Sequence, residues 1–150
     1  MGQITFITMS IFNIFVIVSA ILGGPFLDKF GVMKAYIGGL IIIGIGALLT
    51  PFMGSSFEGM IFIRILQGLG TGPIMVSVIP IAARYFPPKQ RSIIIVLQGL
   101  AVLLGIEFGL VFIPWIFHLT NSWQTSLAWL APISILGLIF SFIVTMTSII

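Results

Sequence analysis

Residues 24 to 34 read Gly-Pro-Phe-Leu-Asp-Lys-Phe-Gly-Val-Met-Lys and hold three of the chain's nine charged side chains: Asp28, Lys29 and Lys34. Long apolar runs lie on both sides. A carboxylate beside an ammonium, followed by a glycine and set between hydrophobic segments, reads as a tight turn at a membrane surface. The glycine permits the turn and the charges mark water.

Composition extends that reading to the whole chain. Of its 150 residues, 59% are hydrophobic and 6% charged, with a mean hydropathy of +1.31; soluble domains carry about half apolar and about a quarter charged residues. The fold class is therefore all-α integral membrane, with the lipid bilayer as solvent. The absence of cysteine excludes a disulfide framework, a thiolate metal site and a cysteine nucleophile. One histidine, no paired carboxylates and no nucleophile beside a base speak against an enzyme, and no metal or cofactor is expected. A net charge of +3 would suit nucleic acid, but six bases dispersed among apolar spans make no such patch.

Five transmembrane helices are expected, at about 4–23, 34–53, 57–84, 92–117 and 126–148, in a single domain over residues 1–150. Each is long enough to cross a hydrocarbon core of about 30 Å. The first lacks a basic flank and is followed at once by another span, which argues against a signal peptide. Asn13 lies near its middle, where an amide commonly bonds a neighbouring helix. Gly38, Gly39, Gly44 and Gly46 offer close approach in the second span, which ends at Pro51 and Gly54-Ser55-Ser56. The third exceeds what a bilayer needs and so should tilt, protrude, or bend at Pro73 or Pro80. Pro87-Pro88 breaks the chain before the fourth. Trp115, Trp123 and Trp129 flank the last turn as interfacial aromatics.

The first loop carries Lys29 and Lys34 and the third carries Arg84, Lys89 and Arg91, whereas the second and fourth carry no base. The positive-inside rule places 24–34 and 84–91 in the cytoplasm, in a plasma or inner membrane.

Gly24, Asp28, Lys29, Gly31 and Lys34 together resemble the loop signature between the second and third helices of the major facilitator superfamily, with Val32 and Met33 standing where that family usually carries bases. Arg64, Gln67, Gly68, Gly70 and Gly72 resemble its fourth-helix motif. Tyr85-Phe86-Pro87-Pro88 with Arg91 resembles its aromatic-proline-arginine loop. The resemblance covers the whole chain as helices two to six of a twelve-helix transporter. It implies a partial N-terminal half whose partners include the missing helices of the same transporter and a small solute. It also implies that Gly24, Asp28, Lys29, Gly31, Lys34, Arg84 and Arg91 form a conformational gate, with Asp28 reaching Arg84 or Arg91. The antiporters' Gly-Pro motif of the fifth helix is absent, which favours symport or uniport. Such an incomplete chain is not expected to transport by itself. The rival readings are a small non-transporting assembly or regulatory subunit, and an inactive truncated product.

Arg64 and Glu107 are the ionisable residues inside the spans, where a charge costs about 2.5–3.5 kcal/mol on insertion scales and is by default a candidate for function. Counted from the expected outer ends of their spans they fall at similar depths, so pairing is expected. Arg64 points to an organic anion as solute and Glu107 to a coupled proton. Gln67 joins them as a substrate or proton-coupling candidate, and Thr71 and Gln98 are placed facing the same cavity. Gly68, Gly70, Gly72, Gly105 and Gly109 are assigned to helix packing.

Overall fold

The computed structural model describes residues 2–122 together with 125, 126, 129, 132, 135, 136, 139, 140 and 143. Four helices long and apolar enough to span a membrane lie within them: α1 (Gly2–Phe30), α2 (Val32–Met53), α3 (Phe57–Tyr85) and α4 (Pro88–Thr120). The fifth span expected at 126–148 falls mostly outside the described residues, as does Trp123.

The turn expected from Gly24 to Lys34 is far shorter than its charges suggest. α1 is helical through Pro25, Asp28 and Lys29, and the chain leaves helical geometry only at Gly31, whose φ of 90° belongs to the left-handed region that glycine occupies without a Cβ penalty. At 29 residues, α1 is about 43 Å long. That exceeds a hydrocarbon thickness of about 30 Å, and the charged last turns of α1 stay helical instead of unwinding. The other helix ends follow local chemistry. Ser56 caps α3 by accepting from the Gly59 amide at 3.1 Å. Pro88 opens α4 at a position where its missing N–H loses no bond. Asn121 closes α4 in the left-handed conformation, with φ 51°. α3 runs through both Pro73 and Pro80 as one helix.

α3 is the axis of the packing: it lies against α1 and α2 along much of its length, and touches α4 and lets α1 touch α2 far less. Two glycine stripes make this possible. On one side, a Cβ at Gly68 would lie 2.8 Å from the Phe12 carbonyl oxygen, and one at Gly72 would collide with Ser19 and the Ala20 backbone of α1. On the other, a Cβ at Gly70 would lie 2.7 Å from the Gly39 carbonyl oxygen, and one at Gly39 would lie 2.5 Å from that of Gly70. Ser19 ties the first seam, its buried hydroxyl donating to the Gly68 carbonyl at 2.9 Å. The buried set mixes small side chains such as Ala35, Ala47, Thr50, Ser77 and Ala82 with Leu27, Ile63 and Ile116, while many large apolar side chains such as Phe6, Ile21, Phe52, Leu104 and Val111 face outward. Lipid is as apolar as those side chains, so contact distance and hydrogen bonds hold the helices together.

Gly105 and Gly109 do not belong to this packing: among the described residues nothing lies within 4 Å of a Cβ added at either, nor at Gly38. Ile116 is the buried residue of α4. Asn13 also departs from expectation, its amide donating to the Met9 carbonyl one turn back at 2.9 Å rather than to a neighbouring helix.

Gly72→Val should separate α1 from α3, because the added atoms meet Ser19 and backbone, and overpacking of this kind costs about 1–3 kcal/mol. Gly99→Ala, with open space around it, should leave stability unchanged. Unfolding of the two variants in mixed micelles measures the contrast, and an unaltered Gly72→Val would overturn the close-approach account.

Candidate functional site

At about 100° per residue, Arg64, Gln67 and Thr71 fall within about 60° of one another on α3. They form its polar stripe. Arg64 is half-buried, and its Nη1 donates to Gln67 Oε1 at 3.2 Å. Its Nε is fully shielded and bonds none of the described residues. A guanidinium carries five N–H donors in a planar fork suited to carboxylate and phosphate oxygens, so an amide oxygen on one of them leaves most of the fork available. Thr71 turns back into its own helix, donating to the Gln67 carbonyl at 2.7 Å.

Gln67 is placed from across the seam. A Cβ on Gly46 of α2 would stand 2.9 Å from Gln67 Cγ, so the glycine makes room for the stem of the side chain that orients Arg64. The sequence marks Gly46 only as a packing position, because a glycine's spacing does not say which side chain will lie over it.

Arg64 and Glu107 are not brought together. Glu107 is exposed on α4 in a shallow groove formed by Leu104, Gly105, Phe108 and Val111 of its own helix. Two physical reasons account for the correction. α4 continues to Thr120, which sets Glu107 about 20 Å below that end, whereas Arg64 lies about 10 Å below the start of α3. α3 and α4 also meet over a short length only. Gln98 is separated from the polar stripe as well, lining a cavity with Met33, Tyr36, Val78 and Ile94.

The residues assigned to the gate gather at one end, in distinct roles. Gly24 is helical with nothing within 4 Å of an added Cβ, and Gly31 is the break between α1 and α2. Asp28, Lys34 and Arg84 are exposed, and Lys29 holds its ammonium 5.5 Å from the Phe30 ring centroid. Arg91 does not reach for Asp28. Its Nη2 donates to the Ala83 carbonyl at 2.7 Å and its Nε to the Phe86 carbonyl at 3.1 Å, so the first turn of α4 caps the last turn of α3.

Because Arg64 and Glu107 are apart, the stability changes caused by Arg64→Met and Glu107→Gln should add to within about 0.3–0.5 kcal/mol. Arg64→Met and Gln67→Leu share a hydrogen bond and should not add. Double-mutant unfolding in micelles distinguishes the cases, and a strong Arg64–Glu107 coupling would contradict the geometry.

Comparison with known proteins agrees with this architecture. The sequence profile of the Major Facilitator Superfamily matches residues 2–148. An uncharacterized protein of Campylobacter jejuni is 33% identical over 128 residues, covering 83% of this chain and 39% of that protein. A Drosophila melanogaster protein whose name assigns it provisionally as an inorganic phosphate cotransporter is 33% identical over 88 residues, 57% of this chain and 16% of that protein. An Arabidopsis thaliana protein named "Probable anion transporter 3, chloroplastic" is 26% identical over 99 residues, 65% of this chain and 19% of that protein. The chain thus spans well under half the length of these relatives. With four membrane-length helices and a family match along nearly its whole length, the chain belongs to the Major Facilitator Superfamily.

Proposed function

We propose that the protein is a secondary active transporter of a small anionic solute, moved by rocking of helix bundles about a site near the membrane midplane. The observation that carries the proposal is Arg64: a half-buried guanidinium in a membrane span, held by the neutral Gln67 with its Nε shielded. A neutral partner orients the fork and leaves its positive charge uncancelled. The relatives named for phosphate and anions favour the same solute class, and inorganic phosphate is the first compound to test.

In this reading Arg64 binds the anion and Gln67 positions it. Glu107, remote from both, carries a coupled proton, and the absence of the antiporters' fifth-helix Gly-Pro motif favours symport over antiport. Asp28, Lys29, Gly31, Lys34 and Arg84 belong to the gate at the cytoplasmic end, and Arg91 fixes the turn between α3 and α4 on which that gate moves.

Thermal unfolding of the chain in nanodiscs, titrated with inorganic phosphate, a dicarboxylate and a neutral sugar, tests the site itself. A ligand that binds only the folded state raises the melting temperature with its concentration. Phosphate or the dicarboxylate should raise it by several degrees and the sugar should not; Arg64→Gln should abolish the response, with Arg64→Lys retaining part of it. Equal stabilisation by the sugar, or an unaltered response in Arg64→Gln, would refute the anion site.

Orientation is tested separately. Single cysteines at Lys29 and Lys89 should resist an impermeant thiol reagent on intact cells, and one at Ser55 should react. The opposite pattern would invert the topology.

A further inference from the structure

The polar stripe of α3 borders a helix that lends it no polar side chain. Gly46 of α2 is buried against Gln67, and Thr50, one turn on, spends its hydroxyl on the Gly46 carbonyl at 3.0 Å. The seam between α2 and α3 is antiparallel and steps regularly: Gly39 lies against Ile74, Ile43 against Gly70 and Gly46 against Gln67. Ile42 and Thr50, a turn to either side of Gly46 on the same face, each carry a branched Cβ. Gly46 is therefore where this stretch of the seam admits the Gln67 stem. A shift of α2 by one turn in either direction would set Ile42 or Thr50 there instead.

What a Cβ would meet sets Gly46 apart from the other seam glycines. At Gly39 and Gly70 it would meet a backbone carbonyl oxygen, at 2.5 and 2.7 Å, so only separation of the helices relieves the contact. At Gly46 the Gln67 backbone nitrogen stands at an ordinary 3.8 Å, and the close atom, at 2.9 Å, is Gln67 Cγ. A side chain relieves such a contact by leaving its rotamer, which swings Cγ by about 120° about the Cα–Cβ bond. The hydrogen bond from Arg64 to Gln67, at 3.2 Å, is already at the long end of the N–H···O range and has no slack for that swing.

We infer, on the anion-binding reading of Arg64 given above, that Gly46 is a positioning residue of that site: its missing Cβ fixes the Gln67 rotamer, so the register of α2 on α3 sets the direction of the Arg64 fork. A helix with no polar group in the site thus controls it. Anion binding and the docking of α2 are coupled through one side chain, because the geometry that presents the fork exists only where Gly46 lies over Gln67.

Gly46→Ala in the full chain in nanodiscs, with inorganic phosphate as the ligand, is the test. Its melting temperature without phosphate should hold or rise, since Ala favours helix over Gly, whereas Gly39→Ala should lower it. Its phosphate affinity, read from the thermal shift, should fall about three- to tenfold, the equivalent of one lost hydrogen bond. In a Gln67→Ala background, where no Cγ is left to displace, Gly46→Ala should leave the already weakened affinity unchanged. A purely structural glycine would move both backgrounds alike; that result, an unchanged affinity in Gly46→Ala, or destabilisation as large as that of Gly39→Ala overturns the inference. A second measurement needs no anion. The unfolding cycle of Arg64→Met with Gln67→Leu should show coupling in the unsubstituted protein and lose it in Gly46→Ala, and coupling that persists also overturns the inference. Lost coupling in Gly46→Ala together with no phosphate binding by the unsubstituted protein would instead refute the anion reading and support the linkage of Gly46 to Arg64.

Discussion

Backbone lies against backbone along both sides of α3: Gly70 meets Gly39 of α2, and Gly72 meets the Ser19–Ala20 backbone of α1, each leaving no room for a Cβ. Lipid supplies no hydrophobic force between helices, so such proximity, with the dispersion contacts and the Ser19–Gly68 hydrogen bond it permits, is what binds α3 to its neighbours. A single helix can serve two partners only if small residues appear on two of its faces. Gly68 and Gly72 give α3 one and Gly70 the other.

The seams also decide where polarity can go. With α1 on the Gly68–Gly72 side and α2 on the Gly70 side, Arg64 and Thr71 lie on the arc of α3 between the two stripes, neither pressed into a seam nor turned wholly outward. Gln67 is at the edge of the α2 seam, where Gly46 admits its stem. Packing and site chemistry thus share residues: a larger side chain at Gly46 would disturb the Gln67 side chain first and the guanidinium through it.

Much of this was legible in the sequence, and the remainder was hidden for definite reasons. Hydropathy and length mark the long helices, and Arg64, Gln67, Gly68, Gly70 and Gly72 mark α3 as the motif-bearing one. Glycine spacing, however, is the same for Gly68 and Gly72 as for Gly105 and Gly109, and only the first pair touches a neighbour among the described residues. Spacing gives a face without naming what meets it. The charges of Gly24–Lys34 mark the junction of α1 and α2 but not an unwound one, because the helix continues through them and turns at one glycine. Arg91, taken as a gate charge, spends its fork on carbonyls that proline-broken helix ends leave without partners. Depth along a helix, which suggested the Arg64–Glu107 pair, carries no information about azimuth.

That missing pair shapes the electrostatics more than its presence would have. An Arg64–Glu107 contact would have made a neutral, self-satisfied unit, and buried pairs of that kind add little net stability while consuming the geometry of both groups. Held by Gln67, Arg64 keeps its charge, and the lost alternative is an amide hydrogen bond rather than an ionic one. In the proposed anion site, an arriving carboxylate or phosphate would therefore not compete with a resident carboxylate for the fork. It has only to add its charge-assisted bonds to a guanidinium already fixed in orientation. Glu107 stands apart on α4, in a groove whose described lining, Leu104, Gly105, Phe108 and Val111, provides no hydrogen-bonding side chain. Among the described residues neither Arg64 nor Glu107 has an opposite charge beside it, so the electrostatics of α3 and α4 are set separately, each by its own packing.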